Sequence, residues 1–375
     1  MPVDVYERLA AHLDTLPAGY PRTESGVELR ILRRLFTPDE AALALHLTVI
    51  AEEPAVVAYR ARLPVDEVAC RLAEMDRKGL LISSARKGRV RYMASQFVVG
   101  FWEGQVNRLT PELIADFEEY LPHLFDAELW RKAPQMRIVP VNTAIEAHSE
   151  VMPYEVVEEL VREAGGEYSV SNCICRQEAQ LTGGNGCRAP METCLGFGGA
   201  ADYVERSGRG RRIDRAEVFD ILQRADEAGL VLQASNSRRA AFICTCCGCC
   251  CAVLRSMKRH PAPASLAASA FVAALRVDAC EGCAACEARC QMGALQVADG
   301  KAALDESRCV GCGLCVNTCP SGALSLERKP EAEVPDVPSG LVQNYLRVAR
   351  ARGHLGLAEL ATLQARSILD RWRAM

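Results

Sequence analysis

The chain has 375 residues, with 44 Lys and Arg against 48 Asp and Glu and a net charge of −4. That balance excludes the dense positive footprint of a typical nucleic-acid binder, and 49% hydrophobic with 25% charged residues excludes disorder on the scale of the whole chain. Nineteen cysteines need a chemical explanation, because a secreted disulfide scaffold is far shorter and the opening MPVDVYERLAAHLD has charge where a signal peptide carries an apolar core.

The N-terminal part reads as helices followed by a hairpin. Thr37-Pro38-Asp39-Glu40 supplies an N-cap, a proline at the first helical position and a glutamate placed to close a capping box. Pro54 opens a shorter helix. Pro64-Val65-Asp66-Glu67 opens a third, whose apolar positions Val65, Val68, Ala69, Leu72 and Met75 follow helical spacing up to Gly79. LLISS and VRYMAS then flank the turn ARKGR. This order, over residues 26 to about 100, resembles the MarR-like winged helix-turn-helix. The resemblance implies a recognition helix over 64–78, yet that helix carries Asp66, Glu67, Glu74 and Asp76 against Arg71, Arg77 and Lys78. The wing is basic, with Arg86, Lys87, Arg89 and Arg91. The acidic helix argues against DNA and for a winged helix used in dimerisation or in docking a partner protein.

Further helical stretches are expected from Thr110 to about Lys132 and from Pro153 to Ala164, stopped by Gly165-Gly166. Asp214-Arg215-Ala216-Glu217 opens another helix ending at Gly229, followed by LVLQAS, the turn NSRR and AFICT. This helix and hairpin echo the earlier unit and suggest a small winged-helix-like support for the cysteines around it. The longest uncharged stretch, residues 261 to 275, falls short of the roughly 20 residues a membrane-spanning helix needs, so a soluble, cytoplasmic protein is expected.

Cys70 lies apart from the other cysteines on a predicted helix and reads as a core residue. Ten more lie in the middle of the chain: Cys173, Cys175, Cys187, Cys194, Cys244, Cys246, Cys247, Cys249, Cys250 and Cys251. Buried small hydrophobes explain one or two of these, not ten. Disulfides are disfavoured in a reducing cytosol, which leaves metal coordination. Ten thiols supply eight ligands for two clusters with two spare, or four for one cluster with the rest structural or reactive. Gly248 allows a tight turn within CCGCC, and Arg176 adds positive charge beside thiolates or an anchor for an anionic substrate, unless it makes a surface salt bridge.

The strongest signal is Cys280-x2-Cys283-x2-Cys286-x3-Cys290, repeated as Cys309-x2-Cys312-x2-Cys315-x3-Cys319-Pro320. Residues 276 to 327 resemble the bacterial two-[4Fe-4S] ferredoxins. The resemblance implies two [4Fe-4S] clusters, one on Cys280, Cys283, Cys286 and Cys319 and the other on Cys309, Cys312, Cys315 and Cys290, each run lending its last cysteine to the other cluster. It also implies that GALQV and GALSL are the paired short strands of a pseudo-twofold fold. Gln291 departs from the pattern, standing where the second run has Pro320. A zinc ribbon would use separated C-x2-C pairs instead of two four-cysteine runs.

The arrangement of C-x-C-R, single cysteines and CCxCC before a ferredoxin segment is similar to a class of iron-sulfur proteins of anaerobic bacteria. The expected fold class is therefore α+β and multidomain: a winged helix-turn-helix-like domain (1–110), a helical connector (111–165), a cysteine-rich metal-cluster domain (166–260), a βαββαβ-like ferredoxin domain (270–330) and a helical tail (331–375). The expected function is electron transfer between a redox partner protein and an oxidoreductase through two [4Fe-4S] clusters plus one or two further iron-sulfur clusters in the 173–251 region. Two alternatives stand beside it: a reductase whose middle cluster keeps an open iron for substrate, and a redox-sensing winged-helix regulator that binds DNA. No residue is nominated as catalytic, and the six scattered histidines offer no pair at ligand spacing. The tail, Leu341 to Arg352 and Leu357 to Arg373 after the hinge EAEVPDVPSG, is expected to pack on a partner or on the second chain of a homodimer.

Overall fold

The computed structural model describes residues 4–141 and 152–375. The chain divides into two units, one built from Met1–Asp126, Asp202–Arg211 and Tyr345–Met375, the other from Ala127–Ala201 and Arg212–Asn344.

The chain opens with α1 (Val5–Asp14), capped by Asp4, and α2 (Val27–Leu35). α3 (Pro38–Ala44) starts on the expected capping box: Thr37 Oγ1 accepts from the Glu40 N–H at 3.2 Å, and the Glu40 carboxylate accepts from the Thr37 N–H at 2.9 Å. α4 (Pro54–Ala61) and α5 (Val65–Arg77) follow. They lead into a hairpin of β1 (Leu81–Arg86) and β2 (Arg89–Ala94), closed by Lys87 and Gly88 with φ of 51° and 74°, the left-handed pair that a two-residue hairpin turn requires. Glu52 adds a single bridge to Tyr92 on the free edge of β2. α5 buries Val68, Leu72 and Met75 as its spacing predicts, but Val65 stays exposed. Cys70 is exposed too, not a core residue, because it sits two positions from both Val68 and Leu72 and so on the opposite side of the helix. The helical stretch expected to reach Lys132 is two helices, α6 (Pro111–Leu124) and α7 (Ala127–Lys132), broken where Phe125 leaves helical backbone with ψ of 89°.

Next come β3 (Met136–Val139), α8 (Val157–Glu163), β4 (Tyr168–Asn172), α9 (Ile174–Leu181), β5 (Glu192–Phe197), α10 (Gly199–Arg206), β6 (Gly210–Ile213), α11 (Arg215–Glu227), β7 (Val231–Ser235), β8 (Phe242–Cys246) and α12 (Ala252–Arg259). The strands form one six-stranded sheet in the order β3-β7-β8-β5-β4-β6. The expected pairing of β7 with β8 is present, but they are not a separate hairpin on a small support. They are interior strands, flanked by β3 and β5; every residue of β7 is buried, so its backbone N–H and C=O groups have no water to bond and need a partner strand on each edge.

β9 (Phe271–Leu275), α13 (Ala285–Arg289), β10 (Leu295–Ala298), β11 (Lys301–Leu304), α14 (Leu314–Thr318) and β12 (Leu324–Arg328) make up the segment of the eight regularly spaced cysteines. The strands after Cys290 and Cys319 do not pair with each other: β10 pairs with β11, and β12 returns to pair with β9. Each four-cysteine run is thereby followed by a strand of its own two-stranded sheet. α15 (Leu341–Ala351) and α16 (Leu357–Arg373) end the chain. The hinge before them is packed, with Val337 buried and the Pro338 carbonyl accepting from the Arg238 N–H at 2.8 Å.

The core of the first unit is aromatic. Trp102 stacks on Phe117 with ring centroids 3.8 Å apart, and Tyr20, Phe97, Phe101 and Tyr120 meet edge-on or tilted around them. α16 is tied to α4 by a buried ionic group. Arg60 forks onto Glu52 at 2.6 and 2.8 Å and reaches Asp370 at 2.6 Å, while Ser367 donates to Glu52 at 2.6 Å. Removing the buried cation from between them leaves two buried carboxylates short of compensating charge, with only the Ser367 hydroxyl still on Glu52 and Arg366 at 3.7 Å from Asp370.

In the second unit the segment of the eight regularly spaced cysteines is held to α11 and to the turns before β7 and after β8 through Arg289 and Gln291. Arg289 donates to the Asp226 carboxylate at 2.6 Å and to the Leu314 carbonyl at 3.2 Å. Gln291 Oε1 accepts from the Gly248 N–H at 2.7 Å, and its Nε2 donates to the Gly229 carbonyl at 2.7 Å. The departure from proline at 291 thus joins the two cysteine-rich regions. Gly248 has no room for a side chain, since a Cβ there would lie 2.3 Å from the Gln291 carbonyl oxygen.

Two measurements test this packing. Arg60→Ala should destabilise the protein by about 3–5 kcal/mol, read as a lower urea midpoint. Gln291→Ala, which strands one donor and one acceptor, should cost about 1–3 kcal/mol, read as a lower melting temperature of the second unit; no shift would mean that the peg carries no load.

Candidate metal centres

The two regularly spaced runs fold as near repeats. Gly282 and Gly311 occupy matching positions before the second cysteine, at φ of 69° and 71°, and a Cβ at Gly311 would lie 2.1 Å from the Phe271 carbonyl oxygen. Only glycine turns the chain there so tightly. Cys286 and Cys315 then sit within α13 and α14. Cys290, Cys309, Cys312 and Cys315 line one cavity, closed by apolar side chains that include Ala273, Leu295, Leu304 and Leu314. Cys290 comes from the first run and the other three from the second, so the chain crosses between runs at this cavity. Cys280 and Cys283 both lie within electrostatic reach of Cys286. Cys280 and Cys319 pack on the same apolar cluster as the buried Cys286.

Backbone amides aim at these sulfurs. Ala294 donates to Cys290 at 3.2 Å, Ala273 to Cys309 at 3.4 Å, and Gly282 and Ala302 both to Cys280 at 3.4 Å. Burial pushes the Cys312 thiol up to about 12 and Cys315 upward as well. For Cys319 burial is outweighed by Ser321 and by neighbouring backbone N–H groups, which pull its thiol down. Binding a metal in the cavity therefore means expelling protons from dry sulfurs, and the donated N–H bonds favour the thiolate form.

The ten middle cysteines separate into two groups. Cys194 on β5 faces Cys244 on β8 across the sheet, and Cys246 follows on the same face of β8 by the two-residue period of a strand. Cys173 and Cys251 stand at the N-caps of α9 and α12. With Cys175 these residues form a row of six in which each thiol influences the ionisation of the next: Cys173, Cys175, Cys251, Cys246, Cys244, Cys194. Gln233, buried on β7, donates to Cys251 at 3.5 Å. Bonds from Cys244 and Cys251 pull the Cys246 thiol down, while Cys194 first and Cys246 second push Cys244 up.

The other four cysteines meet elsewhere. The sulfurs of Cys187, Cys247, Cys249 and Cys250 lie within 4.8 Å of one another, with Cys187 and Cys247 at 3.7 Å and Cys249 and Cys250 at 3.7 Å. Cys187 arrives on a loop that Gly183, Gly184 and Gly186 turn through left-handed backbone. Asn185 secures it, accepting from the Cys187 N–H at 3.2 Å and donating to the Cys249 carbonyl at 3.0 Å and the Cys250 sulfur at 3.3 Å.

Arg176 is not on the surface. It is 2% exposed and donates to the Pro190 carbonyl at 2.6 Å, to Thr193 at 2.6 Å and to the Thr245 carbonyl. Its charge faces Cys173 and Cys246 of the row of six and contacts Cys247 of the group of four. Burial opposes ionisation of Cys247, but Arg176 and the Cys250 N–H outweigh it and bring the thiol to about 7. Nothing in the sequence marks Asn185 or Gln233 as partners of these sulfurs, except that Asn185 stands in a glycine-rich loop beside Cys187.

Residues 302–325, which contain Cys309, Cys312, Cys315 and Cys319, match the family model of a 4Fe-4S binding domain. The match leaves out the first run, Cys280 to Cys290. Neither the curated proteins nor the solved structures compared with the chain give a match. No described helix is long and apolar enough to cross a membrane. The matched domain and the gathered cysteines together point to iron-sulfur electron transfer.

Proposed function

We propose that the protein is an electron-transfer protein or subunit, passing electrons between a redox partner protein and an oxidoreductase. The observation that carries this reading is the cavity shared by Cys290, Cys309, Cys312 and Cys315, a thiol-lined, otherwise apolar space that draws its ligands from both runs. It fits one [4Fe-4S] cluster on these four thiols and a second on Cys280, Cys283, Cys286 and Cys319. Bound there, clusters with four cysteine ligands each would exchange single electrons and leave no iron open to substrate. The chain's own contribution is to hold the thiolates, exclude water and set the potential through the N–H bonds to Cys280, Cys290 and Cys309.

The first unit supports docking more than DNA reading. α3, α4, α5 and the β1-β2 hairpin, with Glu52 bridging to the edge, follow the winged-helix order. Two of the three cations in and just after α5 are engaged: Arg71 pairs with Glu67 at 2.7 Å and Lys78, the C-cap, with Glu40 at 2.6 Å. On the wing, Arg89 and Arg91 both face Glu53. The tail leaves Leu357, Ile368, Leu369 and Trp372 exposed, which supports self-association through α16 into a homodimer.

Anaerobic purification followed by iron and sulfide analysis and EPR of the reduced protein tests the proposal. About eight irons and eight sulfides per chain are expected from the ferredoxin-like segment, with any excess assigned to the middle thiols. Cys309→Ser should remove or convert one cluster and lower the iron content by up to about half. A chain that holds no iron under these conditions would overturn the reading.

A further inference from the structure

We propose that Cys187, Cys247, Cys249 and Cys250 bind one mononuclear zinc ion in a closed tetrathiolate site, separate from every iron-sulfur centre. The proposal shares with the functional reading only the premise that the middle cysteines are metal ligands. It parts from that reading in removing four of the ten from iron-sulfur chemistry.

The argument is one of size. Four thiolates about 2.3 Å from a single tetrahedral ion stand about 3.8 Å from one another. The two sulfur pairs measured here are 3.7 Å apart, and all four sulfurs lie within 4.8 Å. A cube spreads its ligands more widely, because each cysteine binds a different corner iron. Among the described residues no other set of three or more cysteine, histidine or acidic side chains brings its ligand atoms this close, and that includes the eight thiols of the ferredoxin-like segment.

The chemistry of the surroundings fits a closed structural site. Four sulfur ligands leave no open position, which is the pattern of structural zinc. A tetrahedral sulfur set suits zinc or iron, and between the divalent ions a given site binds zinc more tightly than Fe2+. Four thiolates around a divalent cation carry a net charge of about −2, and Arg176, buried against Cys247, offsets part of it. Asn185 orients the set by bonding to the Cys187 N–H and to the Cys250 sulfur. The ion would fasten the glycine-rich loop of Cys187 to the turn after β8, segments 60 residues apart in the chain.

The full chain, purified anaerobically without chelators, should contain one zinc per chain in addition to its iron. Cys249→Ser and Cys187→Ser should each lower zinc at least fivefold and leave iron, sulfide and the EPR of the reduced protein unchanged. Cys249 is exposed, so its substitution tests the site even if the Cys187 variant does not fold. Cobalt exchanged into the site should show the visible ligand-field bands of a tetrahedral thiolate complex, and these should vanish in Cys249→Ser. Loss of iron from Cys249→Ser, mononuclear iron in place of zinc, or zinc content indifferent to both substitutions would each overturn the proposal. A chain with zinc at this site but no iron would instead overturn the electron-transfer reading and leave this one standing.

Discussion

The second unit depends on one strand and the turn that follows it. β8 lies inside the sheet between β7 and β5, and the chain leaves it through Cys247 to Cys251 into α12. Strand periodicity fixes Cys244 and Cys246 on one face, where Cys194 of β5 is their neighbour. The turn then sends Cys251 back toward that row and Cys247, Cys249 and Cys250 away from it. A continuous CxCCxCCC segment thus feeds two separate sulfur groups because a strand alternates sides and a turn does not. Gly248 sits at the division, backed so closely by Gln291 that no other residue fits without displacing the backbone behind it.

Arg176 acts between the two groups. A buried guanidinium is costly unless it is hydrogen-bonded and faces negative charge; the two terminal nitrogens of this one meet two carbonyls and a threonine hydroxyl, its Nε has no hydrogen-bond partner, and its charge faces thiols from both groups. Its position immediately after Cys175 in the sequence places it on the first turn of α9, whose N-cap is Cys173. Short-range sequence proximity and long-range packing therefore converge on the same cation.

Much of this was legible from residue order. The capping box at Thr37, the proline-led helices at 54 and 111, the hairpin around Lys87-Gly88 and both tail helices follow local rules, and local rules are what a sequence displays. The repeated cysteine spacing announced the iron-sulfur segment for the same reason. What stayed hidden was non-local. Cys70 was misplaced because helical spacing tells which residues share a face but not which face is covered. β7 and β8 read as a hairpin, and nothing in their residues says that β3 and β5 will flank them. The partition of the ten middle cysteines depends on which sulfurs approach across gaps of up to about 60 residues, and the use of Gln291 depends on Gly248 and Gly229, more than 40 residues before it.

The discontinuous make-up of the first unit has a consequence for how the molecule is made. α16, which supplies Asp370 to Arg60 and Ser367 to Glu52, is synthesised after the opening 126 residues and after the sulfur-bearing unit. Through nearly all of translation the Arg60–Glu52 pair lacks its cover, while the whole sulfur-bearing unit is synthesised in between. Arg60 and Asp370 stand 310 positions apart with the sulfur-bearing unit threaded between them, so closing the first unit rests on contacts of very long sequence separation, the kind that form slowly.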